Sequence, residues 1–185
     1  MWNTGPFRSA ALLTTLAAVG AGTRQLGARA AAFSHLASFG VLFGSMVYTT
    51  FFAGMTMFKN LPRQTFGRLQ SKLFPMYFKI HAACLCVMIG TIPALAAGGA
   101  SRFPLAACLT ALAFTVANIF YIEPASTKVM FQRYELENAG KAETEEYKQA
   151  AKKFGPLHGL SSLANLGALM AAMGHSWWLG GRFLF

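Results

Sequence analysis

The sequence predicts an all-α integral membrane protein: a bundle of four transmembrane helices, a short amphipathic surface helix, and a polar helical hairpin between the third and fourth spans. The chain has 185 residues, of which 55% are apolar and only 12% are charged. That charged fraction is about half of what a soluble domain carries. Four apolar stretches are long enough to cross a bilayer, which takes about 20 helical residues. No Asp occurs, and all six acids lie between Glu123 and Glu146.

Residues 1–33 form a basic N-terminal extension. They contain Arg8, Arg24 and Arg29, many Ala, and no acid. This composition is typical of an organelle transit peptide, with a secretory signal as the alternative interpretation. The apolar stretch at residues 10–22 is too short to span a bilayer comfortably. We therefore expect a mitochondrial leader, either cleaved or retained.

The first span covers residues 34–58, a stretch of about 25 residues without a formal charge. It opens the four-helix domain, which we place at residues 34–181. Gly40 and Gly44 form a small-xxx-small step, which allows another helix to approach closely. This step predicts a helix-packing surface on the first span.

A basic segment, residues 59–72, follows the first span. Its apolar residues fall on one helical face, while Arg68 and Lys72 fall on another. This pattern predicts a short amphipathic helix lying on the membrane surface. Together with Arg63, these two cations are candidates for binding phospholipid headgroups.

Residues 73–97 form the second span and residues 102–122 the third. Pro93 should kink or end the second helix, and Gly98-Gly99 should form a tight turn. The polar insert, residues 123–155, reads as two helices separated at residues 138–140.

The fourth span covers residues 156–179. Ala164, Ala168 and Ala172 recur every four residues along it. Such a smooth face is expected to pack closely against a neighbouring helix.

The basic residues predict the orientation in the membrane. The segments at 59–72 and 123–156 carry ten Lys and Arg residues together, and the opposite side carries five. The positive-inside rule therefore places both segments on the cytoplasmic or matrix side.

Polar groups at membrane depth are energetically costly, so they are the first place to look for function. With the orientation above, several of them fall at one depth in the inner leaflet. The sequence predicts an intramembrane polar cluster there, consisting of Tyr77, His81, Asn118, Glu123, His158 and Asn165. Arg63 or Arg68 is expected to reach Glu123. Two interpretations stay open: hydrogen bonds that fix the helix register, or a path for a substrate or proton.

Other chemistries find little support. His35 could pair with His175 across the spans, and His81 with His158, as a bis-His haem would require. No haem-attachment Cys motif occurs, so we expect no cofactor other than bound phospholipid such as cardiolipin. No metal-ligand spacing, catalytic triad or phosphate-binding loop is recognisable, and we expect no catalytic or metal site.

Several sequence blocks resemble those of the transmembrane protein 205-like family. The blocks are His35-Leu36, Leu61-Pro62-Arg63-Gln64-Thr65-Phe66-Gly67, residues 70–78, Asn118, Glu123-Pro124-x-x-Thr127, and residues 158–167. The resemblance extends over about residues 34–175. It implies a four-span helical protein with a polar segment between the third and fourth spans. It also implies the secretory or plasma membrane as the alternative to the mitochondrial inner membrane.

These observations lead to two functional hypotheses. The first is a non-catalytic structural or accessory subunit of a larger membrane complex, such as a mitochondrial respiratory-chain assembly. The second is a small transporter or channel-like carrier that uses the polar cluster. The expected partners are membrane lipids and other membrane subunits, and not nucleic acid. A carrier should show a cavity that reaches His81, Asn118 and Asn165, whereas a subunit should show these groups sealed by mutual hydrogen bonds.

Overall fold

A computed structural model describes residues 5–96 and 102–182, and this part of the chain is helical without strands. The helices are α1 (Gly5–Thr23), α2 (Ala28–Val47), α3 (Gly54–Asn60), α4 (Arg63–Leu95), α5 (Arg102–Ala117), α6 (Glu123–Asn138) and α7 (Glu145–Arg182). Two π-helical segments, Tyr48–Ala53 and Asn118–Ile122, join α2 to α3 and α5 to α6 without a break. The described chain is therefore built from one short helix and four long ones.

Within the described ranges, three helices are long and apolar enough to cross a membrane: Ala28–Asn60, Arg63–Leu95 and Arg102–Asn138. Each contains at least 33 residues and is therefore about 50 Å long. A hydrocarbon core is only about 30 Å thick, so the helices must extend beyond it. We call the end where α3 meets α4, and α6 approaches α7, the basic end.

The bundle is organised around α4, which contacts α1, α2 and α5, while α7 packs along α5. The centre of the core is formed by large apolar side chains that are at most 1% exposed: Leu42, Met46, Leu85, Met88 and Ile92. These residues come from α2 and α4, which run in opposite directions. Their burial is the main favourable contact between these two helices.

The predicted surface helix does not exist as a separate element. Pro62 precedes the first turn of α4, which then continues through Pro75 to Leu95. Gly67 is buried against Tyr134 of α6. This segment therefore packs on another helix instead of lying on the membrane surface. The predicted turn at Gly98-Gly99 lies outside the described residues.

The polar insert is made from extensions of two long helices. α6 continues the third-span helix to Asn138, and Gly140 then adopts a positive φ of 71°. Glycine takes this left-handed conformation readily because it has no Cβ. α7 begins at Glu145 and runs through Pro156 without interruption. The two extensions therefore lie side by side at the basic end.

The N-terminal extension contributes α1 to the bundle. Gly20 lies beside Cys86 of α4, and Gly90 faces both Gly20 and Thr23. Small residues on both helices allow this close contact.

Of the two predicted helix-packing surfaces, the alanine face of α7 is buried and the glycine step of α2 is exposed. Ala164, Ala168 and Ala172 are all buried. Gly40 and Gly44 are exposed, and among the described residues no neighbouring atom lies within 4 Å of the position a Cβ would take. The glycine step therefore faces outward, because α2 turns its opposite face, with Leu42 and Met46, towards α4.

Candidate functional site

A cavity of about 560 Å³ lies at the basic end, among α3, α4, α6, α7 and the first π-helical segment. One part of its wall is apolar: Met55, Phe58, Phe66, Phe74, Phe78, Met130 and Phe154. Another part is polar: Thr49, Thr50, Arg63, Gln70, Ser71, Glu123, Ser126, Thr127, Arg133, Tyr134, His158, Ser161, Ser162 and Asn165. This amphipathic lining is the most site-like feature of the described residues.

Both π-helical segments border the cavity region. The first contributes Thr49 and Thr50 to the wall, and Glu123 follows directly after the second. π-helical turns inside α-helices are rare and occur frequently at functional sites. Nothing in the sequence patterns indicated either segment.

A hydrogen-bonded chain connects the deep end of the cavity to the bundle core. Tyr77 Oη donates to Asn165 Oδ1 (2.9 Å), and Asn165 Nδ2 donates to Thr50 Oγ1 (3.2 Å). The Tyr77 ring also lies against His81, with 3.8 Å between the ring centroids. His81 Nε2 is 2.8 Å from Ser45 Oγ, and its Nδ1 has no hydrogen-bond partner among the described residues. Three of the predicted cluster residues are thus in one network.

The other three predicted residues are held separately. Ser161 Oγ donates to Asn118 Oδ1 (2.7 Å), and Asn118 Nδ2 donates to the Ser161 carbonyl (3.3 Å). Glu123 accepts a hydrogen bond from Thr127 (2.6 Å) and lines the cavity. His158 also lines it, stacked on the phenylalanine one turn earlier in α7. The cavity therefore reaches Asn165 but not the buried residues His81 and Asn118. Asn118 is held by its hydrogen bonds with Ser161, and His81 by one contact at Nε2.

Arg63 forms its ion pair with Glu137 and not with Glu123. The reason is that α6 continues for about four turns beyond Glu123, antiparallel to α4, which brings Glu137 opposite the first turn of α4. Glu137 lies well beyond the apolar part of its helix. The hydrogen bond from Arg63, supported by one from Tyr147, lowers the pKa of the Glu137 carboxyl to about 2. The expected headgroup ligands Arg68 and Lys72 are exposed outside the cavity.

A second buried network lies near the opposite end of the bundle. His35 and His175 are 2.8 Å apart between their Nε2 atoms. His35 Nδ1 is 2.8 Å from Thr91 Oγ1, and His175 Nδ1 is 3.5 Å from Cys108 Sγ. The Thr91 hydroxyl also donates to the Val87 carbonyl.

One set of neutral tautomers satisfies this whole network. The Cys108 thiol donates to His175, His175 donates to His35, and His35 donates to the Thr91 hydroxyl. All four residues are at most 1% exposed, and they come from α5, α7, α2 and α4. The network therefore ties four helices together without a buried charge. No group of three or more metal-ligating side chains is found among the described residues.

Sequence reasoning missed the hydroxyl partners in these networks and the charged residue Arg133. The missed hydroxyls are Ser45, Thr50, Thr91 and Ser161. A general signal existed, because Ser and Thr in membrane helices often hydrogen-bond to neighbouring helices. Helix rotation decides which of the many Ser and Thr residues face a neighbouring helix. No residue pattern indicated that rotation.

Residues 37–135 match the model of a family described as a domain of unknown function, DUF4149. The chain belongs to the DUF4149 family. This DUF4149 protein is also similar to transmembrane protein 205 of Danio rerio, with 27% identity over 71% of this chain and 82% of that relative. Both findings confirm the resemblance to the transmembrane protein 205-like family. No solved structure matches the chain.

The DUF4149 protein is an integral, multi-pass membrane protein. Its three long apolar helices and its similarity to a protein named for its transmembrane character agree on this point. The family description states no activity, so function has to be argued from the cavity and from the surfaces of the bundle.

Proposed function

We propose that this protein is a non-catalytic membrane protein that takes a small molecule into the cavity at its basic end, as a small carrier would. Of the three residues expected along a carrier's path, His81, Asn118 and Asn165, the cavity reaches Asn165. The cavity itself is the observation that carries the proposal. Its volume of about 560 Å³ lies within the range of roughly 300–1,000 Å³ that small-molecule sites occupy. Its wall also combines a patch of aromatic side chains with hydrogen-bonding groups, the two kinds of contact that hold and orient a small molecule.

The cavity is closed on the side of the bundle centre. Thr49 of the cavity wall and His35 of the second network are 14 residues apart along one continuous helix, or about 20 Å. The space between them is filled by the buried side chains of Leu42, Met46 and Leu85. Binding from the basic end therefore needs no rearrangement, whereas passage across the membrane would need this apolar layer to open.

We further propose that α7 is the fourth membrane span. Its Ser161 contacts Asn118, and its His175 contacts Cys108. These contacts keep α7 beside the third span for ten residues of α5 and its π-helical extension, about 15 Å. A helix bound this closely to a spanning helix lies at the same membrane depth.

Cysteine accessibility tests the cavity. In protein whose native cysteines are replaced by Ala, Gln70→Cys and Thr49→Cys place a thiol in the cavity wall. Thr115→Cys is the matched control, because Thr115 is buried on α5 outside the cavity. In reconstituted vesicles, a charged methanethiosulfonate should label the two cavity thiols and leave the control unlabelled. Unreactive cavity thiols, or equal labelling at position 115, would refute an open binding cavity.

A second candidate is an accessory subunit of a larger complex, for example in the mitochondrial respiratory chain. The outward-facing step of Gly40 and Gly44 favours it, because such a face accepts the backbone of a foreign helix. Native gel electrophoresis of a mild detergent extract tests this candidate. Migration in a large complex, lost in a Gly40→Leu/Gly44→Leu variant, would support it. Migration of the wild type at its own 19.9 kDa plus detergent would exclude it.

The mitochondrial inner membrane is the compartment that we propose, with the secretory or plasma membrane as the alternative. The basic, acid-free N-terminal extension supports the first, and imaging of the full-length protein with a C-terminal tag tests it. Localisation to the secretory pathway would reject the mitochondrial assignment.

A further inference from the structure

We infer that the cavity binds an anionic phospholipid, with the headgroup phosphate on Arg133 and an acyl chain along the phenylalanine wall. The inference rests on the proposed binding function and names its ligand class. It rests on three observations: Arg133 has no anionic partner among the described residues, part of the cavity wall is apolar, and the cavity lies beside the lipid-facing surface of α4.

Arg133 is a cation without an anionic partner among the described residues. Its Nη2 donates only to the neutral Tyr147 hydroxyl, at 3.4 Å. Its guanidinium lies 5.6 Å from the Tyr147 ring centroid and 5.2 Å from that of Phe154. Its Nε is enclosed and has no hydrogen-bond partner in the part of the chain that the structure describes. Arg63, the other arginine in the wall, is already paired with Glu137.

A phosphate group matches what Arg133 lacks. A guanidinium presents five N–H donors in a planar fork, which suits two phosphate oxygens at once. The two aromatic rings hold the guanidinium plane, so that little conformational freedom is lost on binding.

The rest of the wall suits hydrocarbon. Phe58, Phe66, Phe74 and Phe78 line it along α3 and α4, together with Met55 and Met130. Phenylalanine and methionine bind apolar chains without directional constraints. A free phosphate ion would gain nothing from this surface.

The cavity also lies next to the membrane boundary. On the same turns of α4 that carry the phenylalanine wall, Leu69, Leu73 and Met76 are exposed apolar side chains, and Arg68 and Lys72 are exposed cations. This combination is typical of a helix crossing the headgroup region. A lipid of that leaflet therefore reaches the cavity without leaving the membrane.

The test compares two lipids that differ in the headgroup. Full-length protein in neutral detergent is stripped of lipid and titrated with dioleoyl phosphatidic acid or with dioleoylglycerol, which has the same acyl chains but no phosphate, and occupancy is read by native mass spectrometry. We expect phosphatidic acid to bind about tenfold more tightly, the difference that one charge-assisted contact supplies. Arg133→Gln should remove this preference and leave dioleoylglycerol binding unchanged. Lys128→Gln, which removes an exposed cation of the same helix outside the cavity, is the matched control and should keep the preference.

A second pair of variants separates the ligand class from the cavity itself. Ser71→Phe fills the cavity and should weaken both lipids, whereas Leu73→Phe on the exposed face should weaken neither. If Ser71→Phe loses lipid binding but Arg133→Gln binds phosphatidic acid as the wild type does, the lipid occupies the cavity without a phosphate contact to Arg133. That result overturns the phosphate assignment and keeps the binding cavity. Equal binding to Ser71→Phe and wild type overturns both. Displacement of bound lipid by inorganic phosphate alone would identify a free anion as the ligand and overturn the lipid assignment.

Discussion

The packing of α1 on α4 predicts that a cysteine at position 20 forms a disulfide with the native Cys86. A Cβ at Gly20 would lie 3.9 Å from the Cβ of Cys86, within the range of about 3.5–4.5 Å that disulfides require. Membranes containing Gly20→Cys protein, with a protease site inserted in the turn at residues 24–27, are treated with a mild oxidant and cleaved. The two fragments should stay linked on a non-reducing gel and separate after reduction.

A side chain at position 90 shows how much free energy a disturbance of this helix contact should cost. A Cβ at position 90 would lie 2.0 Å from Thr23 Oγ1 and 2.3 Å from the Gly20 carbonyl oxygen. The hydroxyl can rotate away, but the carbonyl belongs to the backbone, so α1 must move by about 1 Å to reach ordinary contact distance. Overpacking of this kind costs about 1–3 kcal/mol. Gly90→Val should therefore lower the melting temperature and reduce the yield of the position 20–86 disulfide.

Gly22→Cys is the control for the crosslink, because no atom of residues 5–96 and 102–182 outside its own helix turn lies within 4 Å of the position its Cβ would take. It should give no disulfide with Cys86. Equal crosslinking at positions 20 and 22, or an unchanged yield in Gly90→Val, would refute the close contact. A mature protein that lacks residues 5–23 would refute the place of α1 in the bundle.

Three further predictions concern stability at or near the basic end. Glu137→Gln removes the ion pair with Arg63, which is worth at most about 1 kcal/mol because the arginine is half exposed. The folded-state pKa of Glu137 is about 2, against 4.5 for the free group, so the contribution is complete above pH 4.5 and lost as the pH falls towards 2. Thermal unfolding should show this slope in the wild type only. Gly67→Ala places a Cβ 2.2 Å from the Tyr134 hydroxyl oxygen and should lower the stability by about 1–3 kcal/mol. Tyr134→Phe removes that oxygen and should restore part of the loss. Tyr77→Phe removes the donor to the α7 amide and should lower stability by about 0.6 kcal/mol, the average for hydrogen bonds between membrane helices.

The glutamate and tyrosine variants each have a control of the same chemistry. Glu135→Gln alters an exposed carboxylate on the same helix and should leave the unfolding curve unchanged. Tyr121→Phe alters a phenol that is 74% exposed and should also be neutral. If Gly67→Ala melted at the wild-type temperature, the approach of α4 to α6 would be wrong. If Tyr77→Phe were as stable as Tyr121→Phe, the intramembrane hydrogen bond would contribute nothing.

The sequence by itself determined the class of the protein and the approximate position of its membrane helices. Apolar stretches of more than 20 residues leave no alternative to spanning helices, because a helix satisfies its own peptide groups in hydrocarbon. The basic clusters marked the end of the bundle where the cavity lies. The family followed from local blocks such as residues 61–67, which read the same whatever the fold around them.

Only the tertiary structure decided which groups meet. Arg63 reaches Glu137 and not Glu123, because α6 continues straight where the sequence suggested a separate hairpin. Gly67 was part of a recognised block, but its role is clear only beside Tyr134. Contacts of this kind depend on the rotation and register of neighbouring helices, and on π-helical segments that shift both. Those quantities are set by packing over the whole bundle, and no local residue pattern encodes them.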